Sequence, residues 1–154
     1  MLVARCKLER RQAIIQIGIQ PFPLVIPAVG PQGIAPRIPV NSYRALIDTG
    51  AQRTCLTRET IAREGLVRHG HRFIKNVHGE ETHSTYMTVV GIFAEDGMEA
   101  SLHNPVKSYF GVEDPIEVIN IADNNNFDAI LGMDLLERFS FKFDKSGDVE
   151  ILLT

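Results

Sequence analysis

Ala45-Leu46-Ile47-Asp48-Thr49-Gly50-Ala51 is the stretch whose reading decides how the rest of this chain is understood. Three apolar residues run straight into an aspartate, and a glycine follows two positions later. An apolar strand is usually buried, and an unpaired carboxylate at its end is costly there. Something has to share its charge or its proton. Gly50 lets the backbone turn sharply and lets another backbone come close, and Thr49 offers a hydroxyl to a neighbouring chain. The plain alternative is an Asx-type turn after a strand, with Asp48 accepting backbone N–H groups. The triplet by itself is a weak signal, arising by chance in about one chain in ten to twenty of this size.

A second segment adds weight. Asp128-Ala129-Ile130-Leu131-Gly132-Met133-Asp134-Leu135-Leu136 reads as a buried strand joined to a helix at a glycine. Taken together, the two segments resemble the retropepsin-like aspartic proteases, which include the retroviral proteases, the protease-like domain of DNA-damage-inducible ubiquitin-shuttle proteins and single-domain bacterial relatives. The matching residues are Asp48-Thr49-Gly50-Ala51, with Thr54 three positions further on, and the apolar-apolar-glycine element Ile130-Leu131-Gly132. The likeness in element order runs over residues 12 to 153, while the specific motifs occupy only the two segments. It implies an all-β, closed-barrel fold with two short helices and a flap hairpin. It also implies an aspartic endopeptidase with Asp48 as the catalytic residue.

Only one Asp-Thr-Gly is present, and no Asp-Ser-Gly. Aspartic proteolysis needs two carboxylates sharing a proton, because like charges a few ångströms apart do not both ionise readily. A single-copy chain supplies the pair only by two-fold symmetry, so the resemblance implies a C2 homodimer acting on a peptide or protein substrate. No metal or organic cofactor is required. By the same resemblance Thr49 bonds across the dimer, Gly50 keeps the turn open, and the hairpin Arg72 to Thr85 is the flap. The flap tip departs from the retroviral pattern. Asn76-Val77-His78-Gly79-Glu80-Glu81 is polar with one glycine, where retroviral tips are glycine-rich. That departure keeps a second reading open, a peptide-binding or dimerisation module on the same fold that cleaves nothing.

The composition sets the frame around these motifs. The chain has 154 residues, of which 44% are hydrophobic and 23% charged, as in an ordinary globular protein and unlike a disordered one. This length predicts one domain over 1–154. The net charge is −3, from 16 basic and 19 acidic residues. The densest basic run is Lys7, Arg10 and Arg11 with Glu9 inside it, which argues against a nucleic-acid partner. No stretch reads as a transmembrane helix or a secretory signal, so no membrane partner is expected. Two cysteines, Cys6 and Cys55, are too few for a disulfide framework and lead to the expectation of a reducing, cytoplasmic setting.

Element by element, Gln12 to Gln20 alternates as a strand, and residues 21 to 39, with six of the eight prolines, read as a loop. Ser42 to Ile47 is a strand. Thr57 caps a short helix to Glu64, with Ile61 and Ala62 buried and Gly65 as the stop. His71–Val77 and Thr82–Phe93 form a hairpin, followed by a turn at Ala94 to Gly97. Ala100 to Gly111 is weakly patterned. Ile116 to Ile121 and Phe127 to Gly132 are strands, and Asn124 to Asn126 a loop. Met133 to Arg138 is a helix. Phe139, Phe141 and Phe143 share one strand face, and Val149 to Leu153 is the last strand.

His69, His71, His78 and His83 raise a third reading, a zinc-dependent hydrolase. His78-Gly79-Glu80-Glu81-Thr82-His83 has the wrong spacing for the H-E-x-x-H helix, and Gly79 opposes a helix, so solvated loop histidines are preferred. Cys55 reads as a small buried residue rather than a nucleophile. Asp134 reads as a structural carboxylate at a helix N-terminus, and Asp128 as structural too.

Overall fold

The computed structural model describes residues 2–23, 31, 33, 40–96, 107–112 and 114–153. Most of the predicted proline-rich loop 21–39, the end of the predicted turn at Gly97 and much of the weakly patterned stretch from Ala100 lie outside them. Eleven strands and two short helices make up the described chain. Neither helix is long or apolar enough to cross a membrane.

The first eight described residues, for which the sequence pattern predicts no element, form β1 (Leu2–Glu9). A two-residue turn at Arg10-Arg11 leads into β2 (Gln12–Pro21). Both arginines take positive φ, 49° and 67°. A tight hairpin needs that geometry, and non-glycine residues adopt it at a cost. β1 also runs antiparallel to β11 (Asp148–Leu153), from Leu2↔Leu153 to Lys7↔Asp148. β10 (Ser140–Phe143) covers the outer edge of β11.

Around the core the pairings close on themselves. β2 pairs with β3 (Ser42–Ile47), which runs parallel to β9 (Ala129–Leu131). β9 pairs with β4 (Cys55–Thr57), β4 with β8 (Ile116–Ile121), and β8 with β6 (Gly79–Asp96). β6 returns to β2 through Ile17↔Ile92 to Pro21↔Thr88. At 18 residues, β6 is long enough to pair also with β5 (Arg68–Asn76), β7 (Lys107–Gly111) and the start of β1. Ile17, Ile19, Leu56, Ile92, Leu131 and Ile151 fill the interior with at most 1% exposure. Burying such a side chain stabilises the fold by about 1.5–3 kcal/mol.

α1 (Arg58–Glu64) follows its sequence signals. Thr57 Oγ1 accepts the Thr60 N–H, and Gly65 ends the helix at φ 61°. Its buried face is Thr60 and Ile61, whereas Ala62 is exposed, contrary to expectation. The Thr60 hydroxyl reaches Thr57 Oγ1 at 2.8 Å, so a polar residue occupies the inner position with its bonding satisfied. The turn predicted from Ala94 is also corrected. β6 continues through it, with Ala94 paired to Ser108 and 1% exposed, because β7 supplies a partner that the weakly patterned sequence does not announce. The strand predicted over 127–132 shortens to β9, and α2 (Met133–Leu136) is correspondingly brief. Phe141 and Phe143 do meet edge to face, at 6.5 Å between ring centres.

Tyr109 of β7 lies across two glycines. A Cβ on Gly91 would sit 2.2 Å from its ring and one on Gly18 would sit 2.6 Å away. Its hydroxyl donates to Gln20 Oε1 at 3.1 Å, and burial pushes the phenol up to about 12. Gly91→Ala is therefore expected to cost about 1–3 kcal/mol by overpacking. The penalty should fall by about 1 kcal/mol or more in a Tyr109→Ala background, read as a double-mutant cycle in urea. Equal penalties in both backgrounds would mean that Tyr109 does not set the constraint.

Candidate active site

Asp48 stands at the end of β3, half-buried, with Thr49 and Gly50 exposed beyond it. The parallel register Ala45↔Ala129, Leu46↔Ile130, Ile47↔Leu131 extends one step further, as the Asp48 N–H donates to Leu131 O at 3.1 Å. The Gly50 N–H donates to Asp48 Oδ1 at 2.8 Å, and the Ala51 N–H to Asp48 O at 3.2 Å. The Asx-type turn weighed as the plain alternative is thus present. It engages one carboxylate oxygen, and Oδ2 accepts no hydrogen bond from any described residue.

The loop after Asp48 is held against Ile130-Leu131-Gly132. Ala51 O accepts the Met133 N–H at 2.8 Å and Gln52 O accepts that of Asp134 at 3.2 Å. Gly132 lies directly on the Arg53 backbone. A Cβ there would fall 2.4, 2.6 and 2.8 Å from Arg53 C, O and N. Thr54, fully buried, donates from Oγ1 to Asp134 Oδ1 at 2.7 Å and accepts the Gly132 N–H at 3.1 Å. Its own N–H points at both Asp134 oxygens, at 3.0 and 3.1 Å. Asp134 therefore does more than favour a helix N-terminus. Its carboxylate is the anchor for Thr54, a partnership no local spacing reveals. Asp128 is structural, accepting the Arg44 N–H on Oδ2 at 2.9 Å.

The hairpin predicted as a flap is present as β5 and β6, turning at Val77-His78. Asn76 pairs with Gly79, whose φ is 129°. Val77 at the tip is 96% exposed. The turn itself takes only Val77 and His78, and Glu80 lies on the hairpin strand beside it. It sits in β6 opposite Lys75, 3.2 Å from its ammonium. A cleft of about 660 Å³ separates the hairpin from the Asp48 loop. Gly50, Ala51, Gln52 and Arg53 line it on the loop, Arg72, Phe73, Ile74 and Lys75 on β5, with Cys55 and Ile119 between. Burial, then the charges of Asp134 and Asp48, push the Cys55 thiol up to about 11, which keeps it protonated and un-nucleophilic.

A charged cluster whose pairing the sequence does not reveal ties the two walls together. Glu117 of β8 takes the Arg72 guanidinium in a close ion pair, with Arg53 at 3.6 Å and His69 at 3.9 Å. Burial alone would raise this carboxyl, but the Arg72 hydrogen bond and the charges of Arg72, Arg53 and His69 outweigh it and hold the group below its usual value. The histidines stay apart. His71 meets Arg68, and His83 meets Glu81 and Asn120 O. Among the described residues no three metal-ligating side chains gather at one point.

The fold is similar to that of solved structures. A retropepsin-like aspartic protease from Rickettsia conorii superposes at TM-score 0.50 and 17% identity, over 97% of this chain and 90% of that one. The retroviral protease-like domain of Ddi1 from Leishmania major aligns at TM-score 0.35 and 17% identity, over 92% and 94% of the two chains. No protein-family model and no curated protein sequence matches. The fold is retropepsin-like, mostly β with two short helices.

Thr54→Val should destabilise the protein by about 3 kcal/mol, because it leaves the Gly132 N–H and the Asp134 carboxylate short of a buried partner. Thr54→Ser keeps both bonds and should lose about 1 kcal/mol, that of a buried methyl. Chemical denaturation measures both, and equal losses would contradict the network. The lowered Glu117 carboxyl gives a pH signature. Its contribution is complete above the ordinary value of 4.5 and is lost as pH falls through the lower folded value. The stability gap between wild type and Glu117→Gln should therefore be largest near neutrality and shrink below pH 4.5. A gap that stays constant into acid would contradict the assignment.

Proposed function

We propose that the protein is an aspartic endopeptidase that works as a C2 homodimer on a closed retropepsin-like barrel. The observation that carries this reading is the seating of Asp48. A parallel strand pair ends at Asp48, beside the loop that lines the cleft, with one carboxylate oxygen fixed by the Gly50 N–H. A chain with one Asp-Thr-Gly brings two such carboxylates together only by pairing with a second copy. Thr49 and Gly50 are exposed in the single chain, which leaves them free to be covered by that copy in this reading.

In the dimer the two Asp48 side chains share one proton and titrate as a unit. The ionised member takes a proton from water, which attacks the scissile carbonyl carbon. The protonated member hydrogen-bonds the carbonyl oxygen and stabilises the charge that develops there. The Asp48 that took the water's proton passes it to the amide nitrogen, the C–N bond breaks as the carbonyl re-forms, and the amine leaves with the dyad restored. The residues of β5 that face the cleft, and the exposed tip Val77-His78-Gly79, form a flap that closes over an extended peptide. Hydrogen bonds from the peptide backbone hold it as an added strand.

Wild-type protein is expected to cleave members of a broad peptide library, and Asp48→Asn to cleave none while keeping its fold by circular dichroism and its dimer by sedimentation. A folded, dimeric Asp48→Asn variant that still cleaves would contradict the mechanism. Peptides bound but left intact by the wild type would instead support the binding-module reading.

A further inference from the structure

The walls of the cleft beside Asp48 carry an imbalance of charge. Among its lining residues are Arg53, Arg72 and Lys75, and no carboxylate. Lys75 is answered by Glu80 across the hairpin. Among the described residues, Arg53 and Arg72 have only Glu117 between them. Glu117 lies behind them, its side chain 18% exposed against 39% for Arg53 and 47% for Arg72. The surface offered to a ligand is therefore guanidinium, with the carboxylate screened from it. Arg72 spends its Nε on Glu117, while Arg53, at 3.6 Å, makes an ion pair too long for a hydrogen bond. Each guanidinium keeps further N–H donors, in the planar fork that matches a carboxylate.

This contrasts with the protein as a whole, whose net charge is −3. It also contrasts with a second cavity, of about 440 Å³, where Arg5, Lys7 and Lys142 are matched by Asp144, Asp148 and Glu150. Glu117 fixes the Arg72 guanidinium by a hydrogen bond and attracts that of Arg53, so less side-chain entropy is lost when a ligand arrives.

We propose that Arg53 and Arg72 form a subsite for an acidic side chain, so that the cleft selects peptides carrying Glu or Asp at one position. Arg53 lies on the Asp48 loop and Arg72 on the hairpin, so the acidic side chain would bridge the two walls and draw the hairpin towards the peptide. The inference rests on the peptide-cleft part of the proposed function and is independent of catalysis.

The test is equilibrium binding of dye-labelled peptides to full-length Asp48→Asn protein by fluorescence anisotropy. The peptides are paired sets with Glu or Gln at each successive position. One position is expected to favour Glu by about tenfold at low ionic strength, with the ratio shrinking as salt is raised. Arg53→Gln should bring the ratio close to one, Arg53→Lys should leave it intermediate, and Lys142→Gln, outside the cleft, should leave it unchanged. Binding with no position that favours Glu would overturn the proposal, as would a preference that survives both Arg53→Gln and Arg72→Gln. Failure to bind any peptide would overturn the subsite together with the peptide-cleft reading. If wild type cleaves nothing while Asp48→Asn still discriminates Glu from Gln, the protease reading fails and the subsite stands.

Discussion

Gly132 against the backbone of Arg53 is the contact on which the site depends. Two segments far apart in the chain meet there with no room for a Cβ, since any side chain would fall within 2.8 Å of three backbone atoms. A flexible side chain could move aside, but a peptide group held by neighbouring hydrogen bonds cannot. That closeness lets Ala51 O and Gln52 O accept the first N–H groups of α2, and it brings Thr54 within reach of both Gly132 N and Asp134. The Asp48 loop, which as an isolated turn would be mobile, is thereby bonded at both ends. Its aspartate is given a fixed direction within the single chain.

The same loop is coupled to the hairpin through Glu117. A carboxylate with two guanidiniums is an electrostatic hinge pin. Arg53 belongs to the loop, Arg72 to β5 and Glu117 to β8. Partly exposed ion pairs contribute little to global stability. Their value here lies in geometry, because they set the spacing between the two walls of the cleft and leave its surface positive. The Asp48 carboxylate and the two guanidiniums are thus built on one scaffold, with the hydrophobic interior of β2, β3, β6 and β9 beneath.

Much of this was legible in the sequence. Strands β3 and β8 fall where alternation and apolar runs put them, and α1 lies between Thr57 and Gly65 as their capping chemistry demands. These features are local, and local chemistry determines them. The likeness of Ile130-Leu131-Gly132 and Asp48-Thr49-Gly50 to the retropepsin-like motifs extended the reading to the fold. What stayed hidden depends on partners distant in sequence. β1 has no strong period of its own and exists because β11 and β2 flank it. β6 runs through Ala94 because β7 is there to pair with it. Asp134 could be read as a helix-end carboxylate, but its bond to Thr54 arises only when the glycine contact forms. Glu117, an ordinary strand glutamate in Ile116-Glu117-Val118, acquires meaning only from the arginines folded against it.

The account's central claim is that one chain holds half of an active site. Specific activity measured against protein concentration, alongside the dimer fraction from analytical ultracentrifugation, tests it most directly. The account predicts that activity per chain falls on dilution in step with the dimer fraction and vanishes for the monomer. Constant activity per chain, at concentrations where sedimentation shows only monomer, would contradict it.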